Sequence, residues 1–420
     1  MTKKHLPLFA FSLLFSNIFA QNTLLRSGPM VGYSDYKEVA LWVQTTQGAD
    51  VKIVYFEKDK PGVRYETARV RTVAEKAFAT HLLADKVQPG KRYAYELHIN
   101  NKKTGRPYPL EFQTQTLWQW RTDPPDFKFA TGSCVYINET EVDRPGKPYG
   151  GEYEILERIA DQKPDFMLWL GDNTYLREVD WNTRTGILHR YTHTRSTPEM
   201  QRLLGGTHHY AIWDDHDYGP DNSDRGFANK HLTLEAFKLF WANPNYALGE
   251  NAGTAGTFQW NDVQFFLLDN RWFRTPDRNR LGPDRAMLGE QQLQWLVDNL
   301  IYSRATFKGI VIGGQVLNPS DAEENYADYA AERERLLRAI SEARVPGVLF
   351  LDGDRHHTVL TKLDRAGRYP LYDLTVSPIT SGVYEPKNEA NTAAVPGTLV
   401  AERNFAVVEV KGPRTDRVMT

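Results

Sequence analysis

The chain has 420 residues, 51 Lys and Arg against 53 Asp and Glu, a formal charge of -2, and 25% charged and 41% hydrophobic residues. That make-up is ordinary for a globular protein; it excludes a disordered chain, and the absence of a basic patch excludes nucleic acid as the main partner. The length exceeds the usual single-core size, so two domains are expected.

Residues 1–20 carry Lys3 and Lys4, an apolar run from Leu6 to Phe15 and a cleavage point after Ala20, the pattern of a signal peptide, although Ile18 is not the small residue expected three positions before the cut. Taking those two lysines from the 51 basic residues leaves 49 against 53 acidic ones, a charge of -4. No other stretch is long and apolar enough to span a bilayer. The expectation is an exported protein, periplasmic or extracellular, without a transmembrane segment and monomeric. Cys134 is the one cysteine, which rules out an internal disulfide; a lone thiol in an exported chain calls for burial or a bound partner.

Residues 21–122 read as all-β. Val39, Leu41 and Val43 alternate with Ala40, Trp42 and Gln44, a second run spans Val51 to Phe56, and Tyr93, Tyr95, Leu97 and Ile99 alternate after a Pro89-Gly90 turn. Short strands at this spacing predict a small β-sandwich, and the tyrosine-bearing strand after Pro89 resembles that of fibronectin-type sandwiches. Trp42 and Tyr93 are read as core, with sugar binding as the alternative.

Asp123 to Asp126 read as a linker, and residues 123–420 change character. Strands are expected at Phe127 to Ala130, Phe166 to Leu170, His209 to Trp213, Val263 to Leu268, Phe307 to Ile312, Val348 to Leu351, Leu371 to Val376 and Phe405 to Val410. Helices are expected around Tyr153 to Arg158, Leu232 to Trp241, Leu293 to Leu300 and Tyr329 to Ala343. The excursion from Asp180 to Arg195 reads as a functional flap, and Asp416 to Thr420 as an incoming strand that stops early. Strands alternating with helices, then strands alone, predict an α/β layered domain with a mixed sheet.

The strands end in chemistry. Phe166 to Leu170 is apolar without alternation, as in a strand covered on both faces, and Gly171 releases it into Asp172 and Tyr175. An Asx turn is the plain reading of one such end, but other strand ends carry Cys134; Asp215, His216 and Asp217; Gln315; and Asp354 and His356. Ligands bind at the carboxyl edge of open α/β sheets. Thiolate, phenolate, carboxylate and imidazole gathered there would repel or stay protonated unless a cation neutralised them. Sulfur, phenolate and carboxylate suit a ferric ion, and a neighbouring oxygen-rich set suits Ca²⁺ or Mg²⁺.

Four ordered motifs carry a family resemblance: Gly132, Ser133 and Cys134; Gly171 to Tyr175; Trp213 to Asp217; and Gly353 to His356. They resemble the alkaline phosphatase D (PhoD-like) family of the metallophosphoesterase superfamily, and the likeness spans nearly the whole chain after the leader. The resemblance implies a layered αββα sandwich preceded by a small fibronectin-like sandwich, and hydrolysis of small phosphate esters. It implies Fe³⁺ on Cys134, Asp172, Tyr175 and His356, and a second ion, Ca²⁺ or else Mg²⁺, Mn²⁺ or Zn²⁺, on Asp172, Asp215 and Asp354. His216 would stand by the leaving group. The chain departs from the wider superfamily in having Asp215 where Asn is usual and Cys134 in place of the first motif's acidic and histidine pair; Gln315 stands where a histidine is usual, which puts its ligation in doubt.

Two such cations would clamp a phosphoryl group and activate a bridging hydroxide, and His216 between Asp215 and Asp217 would favour its charged form and act as general acid. Arg355 and Arg271 are candidate phosphate contacts, with pairing to Asp352 or Asp269 as the alternative. His357 reads as a packing neighbour of His356, since adjacent strand positions face opposite ways. Asp221, Asn222 and Asp224 read as a solvated loop, with a further Ca²⁺ site as the alternative. A glycan-binding or adhesion protein with a degraded hydrolase domain is the competing function. A serine or cysteine hydrolase built on Cys134 is disfavoured because the nucleophile-elbow pattern is missing.

Overall fold

The computed structural model describes residues 24–279, 285–320, 324–387 and 389–420, so the expected signal segment lies outside the described residues. Two large sheets carry the chain. The first has eight strands in the order Val418–Met419, Ala406–Lys411, Phe127–Gly132, Phe166–Leu170, His208–Ile212, Leu25–Ser34, Val39–Thr45 and Ala79–Ala84. The second has six: Gly256–Trp260, Val263–Leu267, Phe307–Val311, Val348–Asp352, Leu371–Thr375 and Val359–Leu363. Phe127–Gly132, Phe166–Leu170 and His208–Ile212 run parallel in register in the first. Val263–Leu267, Phe307–Val311, Val348–Asp352 and Leu371–Thr375 do so in the second.

The sheets face each other across an aromatic layer. Phe166 stacks on Phe129 at 4.9 Å and 5° and meets Phe265 of the opposite sheet edge-on at 5.5 Å. Both faces of these strands are therefore covered, which is why they lack alternation. Truncating a ring such as Phe166 costs about 3–5 kcal/mol through lost transfer energy and the cavity left behind. Helices Ile155–Asp161, Arg184–Arg195 and Lys230–Phe240 cover the outer face of the first sheet. Glu290–Tyr302 and Ala330–Glu342 cover that of the second.

The N-terminal strands split between two sheets. Asp50–Glu57 and Arg92–Ile99 lie in a smaller sheet whose buried face packs on Val39, Leu41 and Val43. The other face of Val39–Thr45 packs Trp42 against Phe240, so all seven residues of that strand are buried. Leu25–Ser34 pairs in parallel with His208–Ile212 at Val31 and His208. The Tyr93 hydroxyl accepts the Gln88 N–H at 2.7 Å, fixing the turn that enters its strand. Trp42 and Tyr93 are fully buried, as core residues rather than sugar platforms.

One expectation is corrected. The Asp180 to Arg195 excursion is not a flap: Arg184–Arg195 is a helix N-capped by Thr183, with Ile187, Leu188 and Tyr191 in the core. Its buried Arg190 pairs with Asp180 and Glu139, and Arg195 lies over Trp241 at 3.9 Å, so the segment reads polar yet is packed. The last residues do pair, Val410 with Met419 and Lys411 with Val418. Nearby Arg417 bonds Asp126 and Asp262, pinning the expected linker.

Candidate metal centre

The parallel strands of both sheets deliver their carboxyl ends to one edge. Cys134 follows Phe127–Gly132, Asp172 follows Phe166–Leu170, Asp214 to Asp217 follow His208–Ile212, and Asp354 to His357 follow Val348–Asp352. The turns are tight. A Cβ on Gly171, at φ +96, would lie 2.7 Å from Asp214 Cβ, so a side chain there would force the second and third strand ends apart. Cys134, Asp172, Asp354 and His356 themselves adopt left-handed backbone, with φ of 62, 53, 67 and 56. Each such residue costs on the order of 1–3 kcal/mol and persists where its surroundings over-determine it. Here they do: the Cys134 N–H donates to Gly171 O at 3.3 Å, Val135 N–H to Asp172 O at 2.8 Å and Gly353 N–H to Gly313 O at 3.0 Å.

Those bends gather three overlapping triads whose donor atoms lie within 4.8 Å of one another: Cys134, Asp172 and His356; Asp172, Asp215 and His216; Asp214, Asp215 and Asp354. Asp172 and Asp215 each belong to two. Cys134 Sγ lies 3.7 Å from Asp172 Oδ2 and accepts the Ser377 hydroxyl at 3.1 Å. The Tyr175 hydroxyl is 3.4 Å from His356 Nε2 and also bonds the Cys134 thiol. His356 Nδ1 faces the Gly382 carbonyl, with the Tyr149 hydroxyl at 3.2 Å. A proton on Nδ1 donated to that carbonyl leaves the Nε2 lone pair directed at the cluster, the arrangement that orients a metal-ligating histidine.

Electrostatics test whether these residues suit cations. Burial, then the charges of Asp215 and Cys134, pushes the Asp172 carboxyl well above the usual carboxylate range. Burial, then Asp214 and Glu324, does the same to Asp354. Burial raises the Tyr175 phenol and the Cys134 thiol. For Asp215, burial is outweighed by His216, Arg271 and the Asn222 N–H, which hold it below the ordinary value. Asp214 Oδ2 and Asp215 Oδ1 are buried with no hydrogen-bond partner among the described residues. Acids pushed up by burial and by one another, beside orphaned carboxylate oxygens, form a donor set that positive ions would complete.

The expected residues fall into place unevenly. His216 stacks on Tyr175 at 4.2 Å, and its Nε2 is 3.4 Å from Asp221 Oδ1 and 3.9 Å from Asp215 Oδ2. Asp217 does not flank it. Its Oδ2 accepts the N–H groups of Asp214 and Asn173, closing a capping box on the short helix Asp215–Tyr218. Arg271 is wholly buried, bonded to Asp214 at 2.5 Å and to Glu324, and 4.0 Å from Asp215 Oδ1. It braces the carboxylates from behind, where a phosphate contact had been expected, and its side chain does not pair with Asp269. Arg355 pairs with Glu389 at 2.7 Å rather than with Asp352.

Gln315 is turned away: its amide donates to Thr375 Oγ1 at 2.9 Å and its oxygen accepts from Asn318 at 2.8 Å. Buried His357 is held neutral, its pKa lowered by burial and by Arg355 to about 4. Asp221, Asn222 and Asp224 form no donor cluster of their own among the described residues. Sequence reasoning missed Asp214, although it adjoins Asp215, and missed Glu324 and Tyr149, which lie in loops without periodic pattern.

Two layered sheets with a sulfur, phenol, imidazole and carboxyl set at one strand edge define the class, a fold of the metallophosphoesterase kind. Residues 129–412 match the PhoD-like phosphatase family, and the chain belongs to that family. Residues 22–117 match a domain of unknown function, DUF7800. Alkaline phosphatase D of Bacillus subtilis (strain 168) is 25% identical over 331 residues, 67% of this chain and 53% of that protein. The chain thus spans about half the length of that curated relative. In fold it is similar to a solved structure of PhoD, with TM-score 0.74, 19% identity, and 93% of this chain and 85% of the other covered. It is also similar to the purple acid phosphatase PPD1 from yellow lupin (Lupinus luteus) seeds, with TM-score 0.64, 10% identity, and 91% and 69% covered.

Proposed function

We propose that the chain is an exported phosphoric ester hydrolase, a phosphomonoesterase or phosphodiesterase acting on small esters. The observation that carries this is the three overlapping donor triads sharing Asp172 and Asp215. Cys134, Asp172, Tyr175 and His356 would hold Fe³⁺. Asp172, Asp215 and Asp354 would hold Ca²⁺ or a similar ion, with Asp214 beside them. Bound cations at such a centre supply charge that clamps a phosphoryl group and acidifies a water. The domain reading that accompanies this is a fibronectin-like sandwich over 21–122 and an αββα catalytic domain over 123–420.

The chain's own residues then do three things. Arg271, pinned between Asp214 and Glu324, fixes the carboxylates so that they need not reorganise during reaction. Ser377 and the Gly382 carbonyl orient the thiol and imidazole. His216 gives a proton to the departing ester oxygen: water's oxygen bonds to phosphorus, the bond to the ester oxygen breaks, the alcohol leaves with the histidine's proton, and the attacking water's proton restores the histidine. Support for the leaving-group side is the exposure of His216 beside Asp221 at the pocket mouth.

The test is phosphate release from p-nitrophenyl phosphate and from its bis-ester before and after chelation and reloading with Fe³⁺ and Ca²⁺. Activity lost on chelation and restored by the two ions supports the reading; hydrolysis that survives exhaustive chelation refutes the metal assignment, and no hydrolysis with both ions loaded refutes the hydrolase reading. The glycan-binding alternative loses its footing because Trp42 and Tyr93 are buried.

A further inference from the structure

A pocket of about 350 Å³ opens beside the centre, with Tyr175 and His216 in its wall and Tyr149, Tyr136 and Trp181 around it. A general acid acts only within hydrogen-bond reach of the atom it protonates. If His216 serves the departing oxygen, the alcohol half of the ester extends into the space that His216 lines. Tyr149 is 44% exposed yet fixed: it meets Tyr136 edge-on at 4.9 Å and 75°, and Tyr175 at 6.4 Å and 65°. Tyr136 is held in turn by the Arg177 guanidinium over its ring at 3.8 Å. An exposed ring with no freedom to turn is a ready stacking surface.

Charge narrows the ligand. The pocket's cations, Arg144, Lys147 and Arg177, are matched by Asp143, Glu178 and Asp221. Arg177 lies 2.9 Å from Asp143 and Arg144 3.9 Å from Glu178. With no excess of positive charge, the wall has nothing to draw a polyanionic group, and its rings favour a flat, uncharged one. A cavity of about 150 Å³ already accommodates benzene, so there is room for a substituted ring.

We infer that Tyr149 is the stacking platform for an aromatic alcohol, so that aryl phosphates are the preferred esters of this site. The inference rests on the phosphatase reading. It is tested with two inhibitors that carry no leaving group, phenylphosphonate and cyclohexylphosphonate, competing against p-nitrophenyl phosphate on the metal-loaded full chain. An aromatic contact worth about 0.5–1.5 kcal/mol converts to roughly 2- to 13-fold. The phenyl compound should therefore bind tighter by that factor in the unmodified protein and in Tyr149→Phe, which keeps the ring and removes the hydroxyl near His356. In Tyr149→Ala the two constants should converge. A phenyl preference that survives Tyr149→Ala, or that disappears in Tyr149→Phe, overturns the platform while hydrolysis itself still stands. No hydrolysis of any ester by metal-loaded protein overturns the phosphatase reading and this inference with it.

Discussion

Replacing His216 by Ala removes one ring and one of the groups that hold Asp215 low, leaving Arg271 and the Asn222 N–H to do so. The ring stacks on Tyr175 and is 21% exposed, and its backbone N–H, which donates to Asp172 Oδ1 at 3.2 Å, survives the substitution. Lost stacking amounts to about 0.5–1.5 kcal/mol, small beside the 5–15 kcal/mol that typically holds a domain together. The variant should therefore fold and keep its bound ions. What it loses is the proton for the leaving group, worth roughly 10²- to 10⁴-fold, or about 3–5 kcal/mol of transition-state stabilisation. That loss should appear in kcat on an alkyl phosphate and shrink on p-nitrophenyl phosphate, whose leaving group departs as a stable anion. The assay is a series of esters graded by leaving-group acidity, with metal content measured on each preparation. Equal losses across the series, or an unchanged rate on the alkyl ester, would refute the reasoning.

Removing a brace should cost more than removing a surface pair. Arg271→Met leaves Asp214 buried without its cation, while Glu324 keeps Arg274 at 3.0 Å, and should destabilise by about 3–5 kcal/mol in urea unfolding, whereas Arg335→Met, at an exposed pair with Glu290, should cost far less. Gly171→Ala should lower stability by about 1–3 kcal/mol, because the new Cβ meets Asp214 in a left-handed turn, and should release metal on dialysis more readily than the unmodified protein. Chelated protein should melt at lower temperature at about pH 9 than at about pH 7. Asp172, Asp354 and Cys134 have raised folded pKa values, so the stability they contribute is complete below their unfolded values and is lost as pH rises from those towards the folded ones; Tyr175, raised from an already high value, stays protonated in both states over this interval. The histidines held low are neutral in the folded state and mostly neutral in the unfolded one over that range; Lys308, lowered by burial to about 8, is a single group acting in the opposite direction. Reloading metal should abolish the decline; a chelated protein whose melting temperature rises over this interval would contradict the assignment.

The strand ends were legible because their cause is local. Buried parallel strands such as Phe166–Leu170 need continuous apolar runs, and the glycine and acid that follow mark where each run meets the ligand edge. Convergence of Cys134, Asp172, Asp215, Asp354 and His356 followed from that rule and from the family's motifs. What stayed hidden has non-local causes. Left-handed backbone at Asp172 or His356 is only weakly signalled by residue type, since Asp and His tolerate it better than most but seldom adopt it, and at Cys134 it is not signalled at all. Helix Arg184–Arg195 resembled a flap because its buried face includes Arg190 and Arg195, whose partners Glu139 and Trp241 are far away in sequence. Asp217 appeared to flank His216, but its capping bonds turn it inward. Arg271 and Glu324 show their partnership only once their loops meet.

The account depends on a sulfur, a phenol, an imidazole and several carboxyls enclosing two ions. Elemental mass spectrometry of the purified full chain, alongside Cys134→Ser and Asp215→Ala, tests this most directly. The prediction is two metal ions per chain, one of them iron, with iron lost in Cys134→Ser and the other ion lost in Asp215→Ala. A chain that hydrolyses phosphate esters while carrying no metal, or whose metal content is untouched by both substitutions, would contradict it.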